Sequence, residues 1–278
     1  MTAGKLPSRQ LSELIGSTVA ITKAELMSGL HAATIQELLI ERGVLCFPDV
    51  WLDDDEQLAF ARTLGETVSD WDVSADKSVN RNEMLADYQK SSVHWHFDGF
   101  GVEVPDFATI MSPRILADGI GGATEFANCY AAWRDLPLDD QLVIDGLQVR
   151  HSFETLMRLV KPEPGEEELQ AWRLGRAPHT QPLVWHHGSG KNSLLLGASA
   201  SFVENMSAAE GQALIQRLNA WITQPQYTWR YDWKLGDLVV WDNTGVLHRA
   251  VPYSSNSKRL MHRTTLRGFE TPAATFPN

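Results

Sequence analysis

The chain alternates between stretches of helical and of extended apolar spacing. From Ala32 to Arg42, Ile35, Leu38 and Leu39 fall on one helical face and Gly43 ends the run. Val44–Phe47 is solidly apolar and short, which predicts a buried strand. Asp53–Leu64 opens with acidic residues, which favour a helix N-terminus, and Gly65 closes it. A capping box, Ser207-Ala208-Ala209-Glu210, starts a further helix through Leu214, Ile215, Leu218 and Trp221. Residues 138–147 predict a short helix. Strand-like runs are Thr109–Ser112, Ala123–Ala127, Tyr227–Tyr231, Leu238–Trp241 and His262–Leu266. The turn-rich segment 117–122 separates the first two. Residues 1–20 read as an extended entry and 66–92 as a long polar loop. Lys161–Ala177 combines Pro162, Pro164, Gly165 and three successive glutamates, which predicts an exposed excursion: a lid, or a solvated insertion with no role. No repeat or low-complexity tract is visible. The pattern predicts a mostly β fold with flanking helices, a double-stranded β-helix (jelly roll), in a single domain over 1–278.

Composition narrows the function classes. With 278 residues, 43% hydrophobic and 21% charged, the chain has the make-up of a globular protein with a sizeable core. A net charge of −11 and the lack of any Lys/Arg cluster argue against nucleic acid as a partner. No apolar run reaches membrane-span length and no basic-then-apolar leader opens the chain, so neither membrane insertion nor secretion is expected. Cys46 and Cys129 both lie in apolar runs and read as buried thiols, which suits a cytoplasmic setting. The expected partner is a small-molecule substrate, with homo-oligomerisation left open. Ten tryptophans serve either core filling or an aromatic-lined pocket.

The chemistry concentrates in His94-Trp95-His96-Phe97-Asp98. In an extended segment, side chains two apart share a face, so His96 and Asp98 aim an imidazole and a carboxylate at one point. A His-x-Asp pair alone is common by chance. His248, after the strand-and-turn run Leu238–Asn243, would complete a two-histidine, one-carboxylate set, the arrangement that holds non-haem Fe(II) with coordination positions free. Arg259 and Arg263 follow, four apart and on one face if extended. Thr124 adds a hydroxyl on a strand leaving the Gly121-Gly122 turn.

These residues resemble the taurine dioxygenase / 2,4-D dioxygenase (TauD/TfdA) family of Fe(II)- and 2-oxoglutarate-dependent oxygenases, from about Ala33 to Pro272. The matching pieces are Trp95–Asp98, Gly121–Ala127, His179 with His186–Leu194, Trp241–Asn243 through His248–Ala250, and Arg259–Thr265. The resemblance implies a jelly-roll dioxygenase using Fe(II), 2-oxoglutarate and O2. It implies that His96, Asp98 and His248 hold iron, and that Thr124 and Arg259 bind the distal carboxylate of 2-oxoglutarate. Arg263 matches an arginine that in relatives faces the substrate's acidic group or the cosubstrate. The expected reaction is hydroxylation of an unactivated carbon of a small organic anion, a carboxylate or sulfonate, releasing succinate and CO2.

Departures from the taurine-type pattern bear on substrate. Asp70, beside Trp71, stands near a position that is histidine in those members, and Ser92 stands where an asparagine would be. Both argue against taurine itself. Asp70, Trp71, Ser92 and His94 are the expected shapers of the remaining pocket, His94 having packing as its alternative role. His262 reads as a core histidine, and His186 and His187 as hairpin residues. Two other readings compete: a jelly-roll binding protein without turnover, and a zinc hydrolase on the same ligands. The first has no need of the ligand set with Arg259. The second leaves Arg259 and Thr124 unexplained, and zinc prefers a tetrahedral set.

Overall fold

The computed structural model describes residues 6–68, 90–119, 121–254 and 256–275. Its largest sheet has the order β1-β2-β3-β12-β4-β14, built from β1 (Ser8–Gln10), β2 (Ser17–Val19), β3 (Val44–Phe47), β4 (Ala108–Ile115), β12 (Leu238–Asp242) and β14 (Leu260–Leu266). A three-stranded sheet holds β11 (Thr228–Tyr231), β5 (Thr124–Asn128) and β13 (Val246–Ala250) in the order β11-β5-β13. A further sheet orders β10 (Ala200–Val203), β6 (Gln148–His151) and β7 (His179–Pro182) as β10-β6-β7, and β8 (Val184–His186) pairs with β9 (Asn192–Leu194) as a hairpin. Every pairing is antiparallel except β2 with β3. This is the expected jelly roll, with helices outside.

Period-2 alternation explains how the sheets stack. On β3, Leu45 and Phe47 join the cluster formed with helices Ala32–Arg42 and Asp54–Leu64, while Val44 and Cys46 turn the other way. On β12, Leu238 and Val240 face those helices and Val239 and Trp241 face inward. Phe126 of β5 and Val246 of β13 meet that inward face, whereas their neighbours Ala127 and Leu247 serve the third cluster. Met261 of β14 is inward too, so Arg259, Arg263 and Thr265, at even spacing from it, lie toward the same inter-sheet space.

Local signals set the helices. Asp53 and Ser207 each cap their helix through a complete capping box with Glu56 and Glu210. The segment expected to be an exposed excursion is largely the helix Glu166–Gly175. It docks rather than floats: Trp172 is fully buried, and Arg173 pairs with Glu154 of the helix Phe153–Arg158 at 2.7 Å. His262, expected in the core, instead faces the helices at a half-buried position, where its Nδ1 meets Asp54. Cys46 and Cys129 are buried and free, as expected. Among the described residues no helix is long and apolar enough to cross a membrane.

The β12–β13 turn is a tight junction. Tyr130 Oη donates to Asp242 Oδ2 at 2.9 Å and lies 3.0 Å from Thr244 Oγ1. Its ring covers Gly245 so closely that a Cβ there would stand 1.8 Å from Tyr130 Cε2. Gly245→Ala must therefore push a fully engaged aromatic ring aside, an overpacking that costs about 1–3 kcal/mol. The expected result is a lower urea midpoint at an unchanged m-value; an unchanged midpoint would show that this contact is not tight.

Candidate metal and cosubstrate site

Two backbone hydrogen bonds bring the distant motifs together. His96 N donates to His248 O at 3.0 Å and His248 N to His96 O at 2.8 Å, an antiparallel bridge outside the named strands. Ala250 N to Ser92 O at 2.8 Å and Ala198 N to Trp95 O at 2.7 Å fix the same segment on either side. The imidazoles of His96 and His248 face each other with ring centroids 4.3 Å apart. Asp98 does not continue a strand. The chain turns there, and only His96 keeps a ladder contact. Phe97 points into the core and Asp98 into the inter-sheet space, so the i, i+2 convergence survives the turn. One ligand atom each from His96, Asp98 and His248 lies within 4.8 Å of the others.

The protonation states suit a divalent cation. His96 Nδ1 lies 2.8 Å from the carbonyl oxygen of His94, which can only accept, so the network assigns the ring proton to Nδ1 and leaves Nε2 with a free lone pair. His248 turns Nε2 toward Asp98 Oδ2 at 3.6 Å, and its buried Nδ1 has no hydrogen-bond partner among the described residues. Burial lowers the pKa of both histidines, keeping them neutral. Burial alone would raise Asp98, but the Arg263 guanidinium foremost, with the Thr109 hydroxyl, holds its carboxyl well below the usual range. Two neutral imidazoles and one carboxylate form a donor set that fits Fe(II) with coordination positions to spare.

The carboxylate itself is anchored. Thr109 Oγ1 donates to Asp98 Oδ2 at 2.9 Å and accepts from Asn243 Nδ2 at 3.0 Å; Trp241 Nε1 donates to Asn243 Oδ1 at 2.9 Å. All four residues are buried. Arg263 Nη2 lies 2.6 Å from the same Asp98 oxygen. Arg263, expected to face the substrate's acidic group or the cosubstrate, already has Asp98 as an anionic partner, although 38% of the arginine side chain stays exposed.

Arg259 sits just ahead of β14. Its shaft passes Gly122, where a Cβ would stand 3.4 Å from Arg259 Cδ and Nε and 2.6 Å from Ala117 Cβ. Gly122 also has φ +78°, so glycine is required twice over. The guanidinium lies 5.0 Å from the centroid of the Tyr253 ring, and burial lowers its pKa. Two residues beyond Gly122, Thr124 is buried on the inner face of β5, and its Oγ1 accepts from Trp233 Nε1 at 3.0 Å. Ser92 and His94 border the His96 segment, both half-buried, with burial first and then His96 and Arg249 lowering the His94 pKa. Asp70 and Trp71 lie outside the described residues. Sequence reasoning passed over Thr109 and Trp233 and gave Trp241 and Asn243 no role. Only the sheet register, which sets Trp241 opposite Thr109 and β11 beside β5, exposes them.

Comparison with known proteins agrees with this geometry. The family model described as taurine catabolism dioxygenase TauD, TfdA family matches residues 7–265. The alpha-ketoglutarate-dependent 2,4-dichlorophenoxyacetate dioxygenase of Burkholderia sp. (strain RASC) is 32% identical over 87% of this chain and 87% of its own. The alpha-ketoglutarate-dependent sulfate ester dioxygenase of Pseudomonas putida is 31% identical over 89% of this chain and 85% of its own. Among solved structures, AAD-2 in complex with Mn(II) and N-oxalylglycine superposes with a TM-score of 0.83 at 27% identity, covering 96% of this chain and 99% of that one. The chain therefore belongs to the TauD, TfdA family and is an Fe(II)- and 2-oxoglutarate-dependent dioxygenase, not a jelly-roll protein without turnover.

Proposed function

We propose that the whole chain works as one dioxygenase domain that hydroxylates a carbon of a small organic anion, a carboxylate or sulfur oxyanion with an apolar or aromatic body. The observation that carries this reading is the convergence of His96, Asp98 and His248 beside a second, partly exposed guanidinium, Arg263. The named substrates of the relatives, a dichlorophenoxyacetate, a phenoxypropionate and sulfate esters, are all anions. A bound Fe(II) would supply the oxidation: one O2 and one 2-oxoglutarate give succinate, CO2 and one hydroxyl on the substrate carbon.

Each residue then has a task. His96, Asp98 and His248 hold the metal, with Nε2 of His96 freed by the Nδ1 contact to His94. Thr109 and Arg263 fix the orientation of the Asp98 carboxylate. Arg259 forks onto the distal carboxylate of 2-oxoglutarate and Thr124 adds a hydroxyl donor. Arg263 presents its exposed edge to the substrate's acidic group, while Ser92, His94, Asp70 and Trp71 shape the surrounding pocket. The acidic chain offers nothing to nucleic acid, and its two buried free thiols suit the cytoplasm. A panel of carboxylates, sulfonates and sulfate esters, screened for stimulated 2-oxoglutarate decarboxylation with matched O2 uptake, tests the reading; stimulation by neutral compounds alone would overturn it.

Four variants test the assignments. Asp98→Ala and His248→Ala should each abolish turnover and weaken Fe(II) binding while near-native circular dichroism persists, because too few donors remain. Normal turnover in either would remove that residue from the metal. Arg259→Lys keeps the charge but loses the planar fork. It should weaken 2-oxoglutarate by about 1–3 kcal/mol, roughly 5- to 150-fold in apparent affinity, with Fe(II) affinity nearly unchanged. An unaltered affinity would place the carboxylate elsewhere. Arg263→Ala should lose substrate-stimulated turnover while keeping slow, substrate-free 2-oxoglutarate decarboxylation. Equal loss of both rates would assign Arg263 to the cosubstrate or to Asp98 alone.

A further inference from the structure

Thr124 and Arg259 differ as anion ligands. A guanidinium offers only donors, whereas a hydroxyl offers one proton and two lone pairs and rotates freely. A threonine next to an anion helps only if its proton points at the anion. Otherwise a lone pair faces the negative charge and opposes binding. Something must set that rotor.

The structure supplies a group suited to the task. Trp233 is buried in the inter-sheet cluster with Phe126 and Trp241. Its indole is edge-on to Tyr231, ring centroids 5.0 Å apart at 85°. Tyr231 is itself tied through its hydroxyl to Asp237, and Asp237 Oδ1 accepts from Asp49 N at 3.0 Å. The indole is therefore fixed from behind, and its Nε1 reaches Thr124 Oγ1 at 3.0 Å. Indole nitrogen is a donor with no lone pair to offer, so the Thr124 proton cannot be spent on it. Among the described residues no side-chain or backbone acceptor takes that proton. β5 places Thr124 two residues beyond Gly122, the residue against which Arg259 lies.

We propose that Trp233 is a positioning residue for the cosubstrate: its N–H occupies one lone pair of Thr124 Oγ1 and so directs the hydroxyl proton to the anion held by Arg259. The inference rests on the reading that Thr124 and Arg259 bind the distal carboxylate of 2-oxoglutarate. It adds a residue that touches neither metal nor cosubstrate and acts through a single oxygen. Donation into Thr124 also polarises the hydroxyl, making it a stronger donor.

The test is a double-mutant cycle on binding, read by calorimetric titration of 2-oxoglutarate into Mn(II)-loaded protein. Trp233→Phe keeps most of the ring and deletes the N–H. It should raise the 2-oxoglutarate Kd roughly 3- to 10-fold and leave Mn(II) affinity unchanged. KM for 2-oxoglutarate should rise while kcat at saturation holds. Thr124→Val should weaken binding at least as much, and adding Trp233→Phe to Thr124→Val should change nothing further. Independent, multiplying effects of the two changes would overturn the proposal. So would an unchanged Kd in Trp233→Phe beside a weakened Thr124→Val. An unchanged Kd in Thr124→Val would instead overturn the cosubstrate reading beneath it. A second measurement needs no change at Trp233: in Zn(II)-loaded protein with 15N-labelled indoles, one indole signal should shift both on adding 2-oxoglutarate and in Thr124→Val. Absence of such a shared signal would overturn the coupling even if Trp233→Phe fails to fold.

Discussion

A carboxylate buried between two sheets is the constraint around which this molecule is arranged. Asp98 is 6% exposed, and an ionised carboxylate at such a depth is costly unless charge and hydrogen bonds surround it. The surroundings come from four separate stretches of chain. Thr109 belongs to β4, Arg263 to β14, Asn243 to the turn after β12, and His248 to β13 of the opposing sheet. Asn243 acts through Thr109, and the full set closes around Asp98 only when both sheets are assembled in register. The stacking of the sheets and the ionisation of Asp98 are thus one condition, and the metal-binding geometry follows from meeting it.

Register carries that condition across the fold. A one-residue slip of β14 would carry Arg259, Arg263 and Thr265 to the helix side and bring His262 inward. Apolar partners oppose the slip: Met261 packs inward, while Leu266 lies among the helix contacts. Polar ones do too, since Gln57 of the helix Asp54–Leu64 donates to Thr264 Oγ1 at 3.2 Å and His262 meets Asp54. The outer face of β14 is thereby pinned to a helix, which holds its inner face to the site. The half-buried His262–Asp54 pair contributes little stability by itself, but it is on the correct side only in the native register.

The legible parts of the fold are those written in short-range pattern. The acidic start of the helix that follows Asp53, the capping box at Ser207, the apolar run of β3 and the i, i+2 pairing of His96 with Asp98 depend on neighbours in sequence, and all are present in the structure. The helix Glu166–Gly175 was hidden because one buried tryptophan among glutamates and arginines gives little apolar periodicity; its docking depends on Glu154, outside the window. The turn at Asp98 and the Trp241–Asn243–Thr109 chain were equally invisible, being set by antiparallel register between strands more than a hundred residues apart. Trp233 was one of ten tryptophans, with nothing in its sequence neighbourhood to separate it from core filling.

On the proposed reading, charge accounts for the class of substrate more firmly than shape does. With His96 and His248 kept neutral by burial, the described groups of the site carry one negative charge on Asp98 and two positive charges on Arg259 and Arg263. That leaves one excess positive charge in a partly buried space. On the proposed reading, a divalent metal raises the excess to three and the 2-oxoglutarate dianion lowers it to one. A neutral substrate would close the pocket over that remaining charge, and a dianion would reverse it. A monoanion brings the assembled site to neutrality, the state with the smallest desolvation penalty. A phenoxyacetate and a sulfate monoester differ in shape and in the atom that bears the charge, yet each carries one negative charge at neutral pH. The two arginines at even spacing, Arg259 just ahead of β14 and Arg263 on it, thus fit the number of charges brought to the site, one guanidinium beyond what cosubstrate and metal together require.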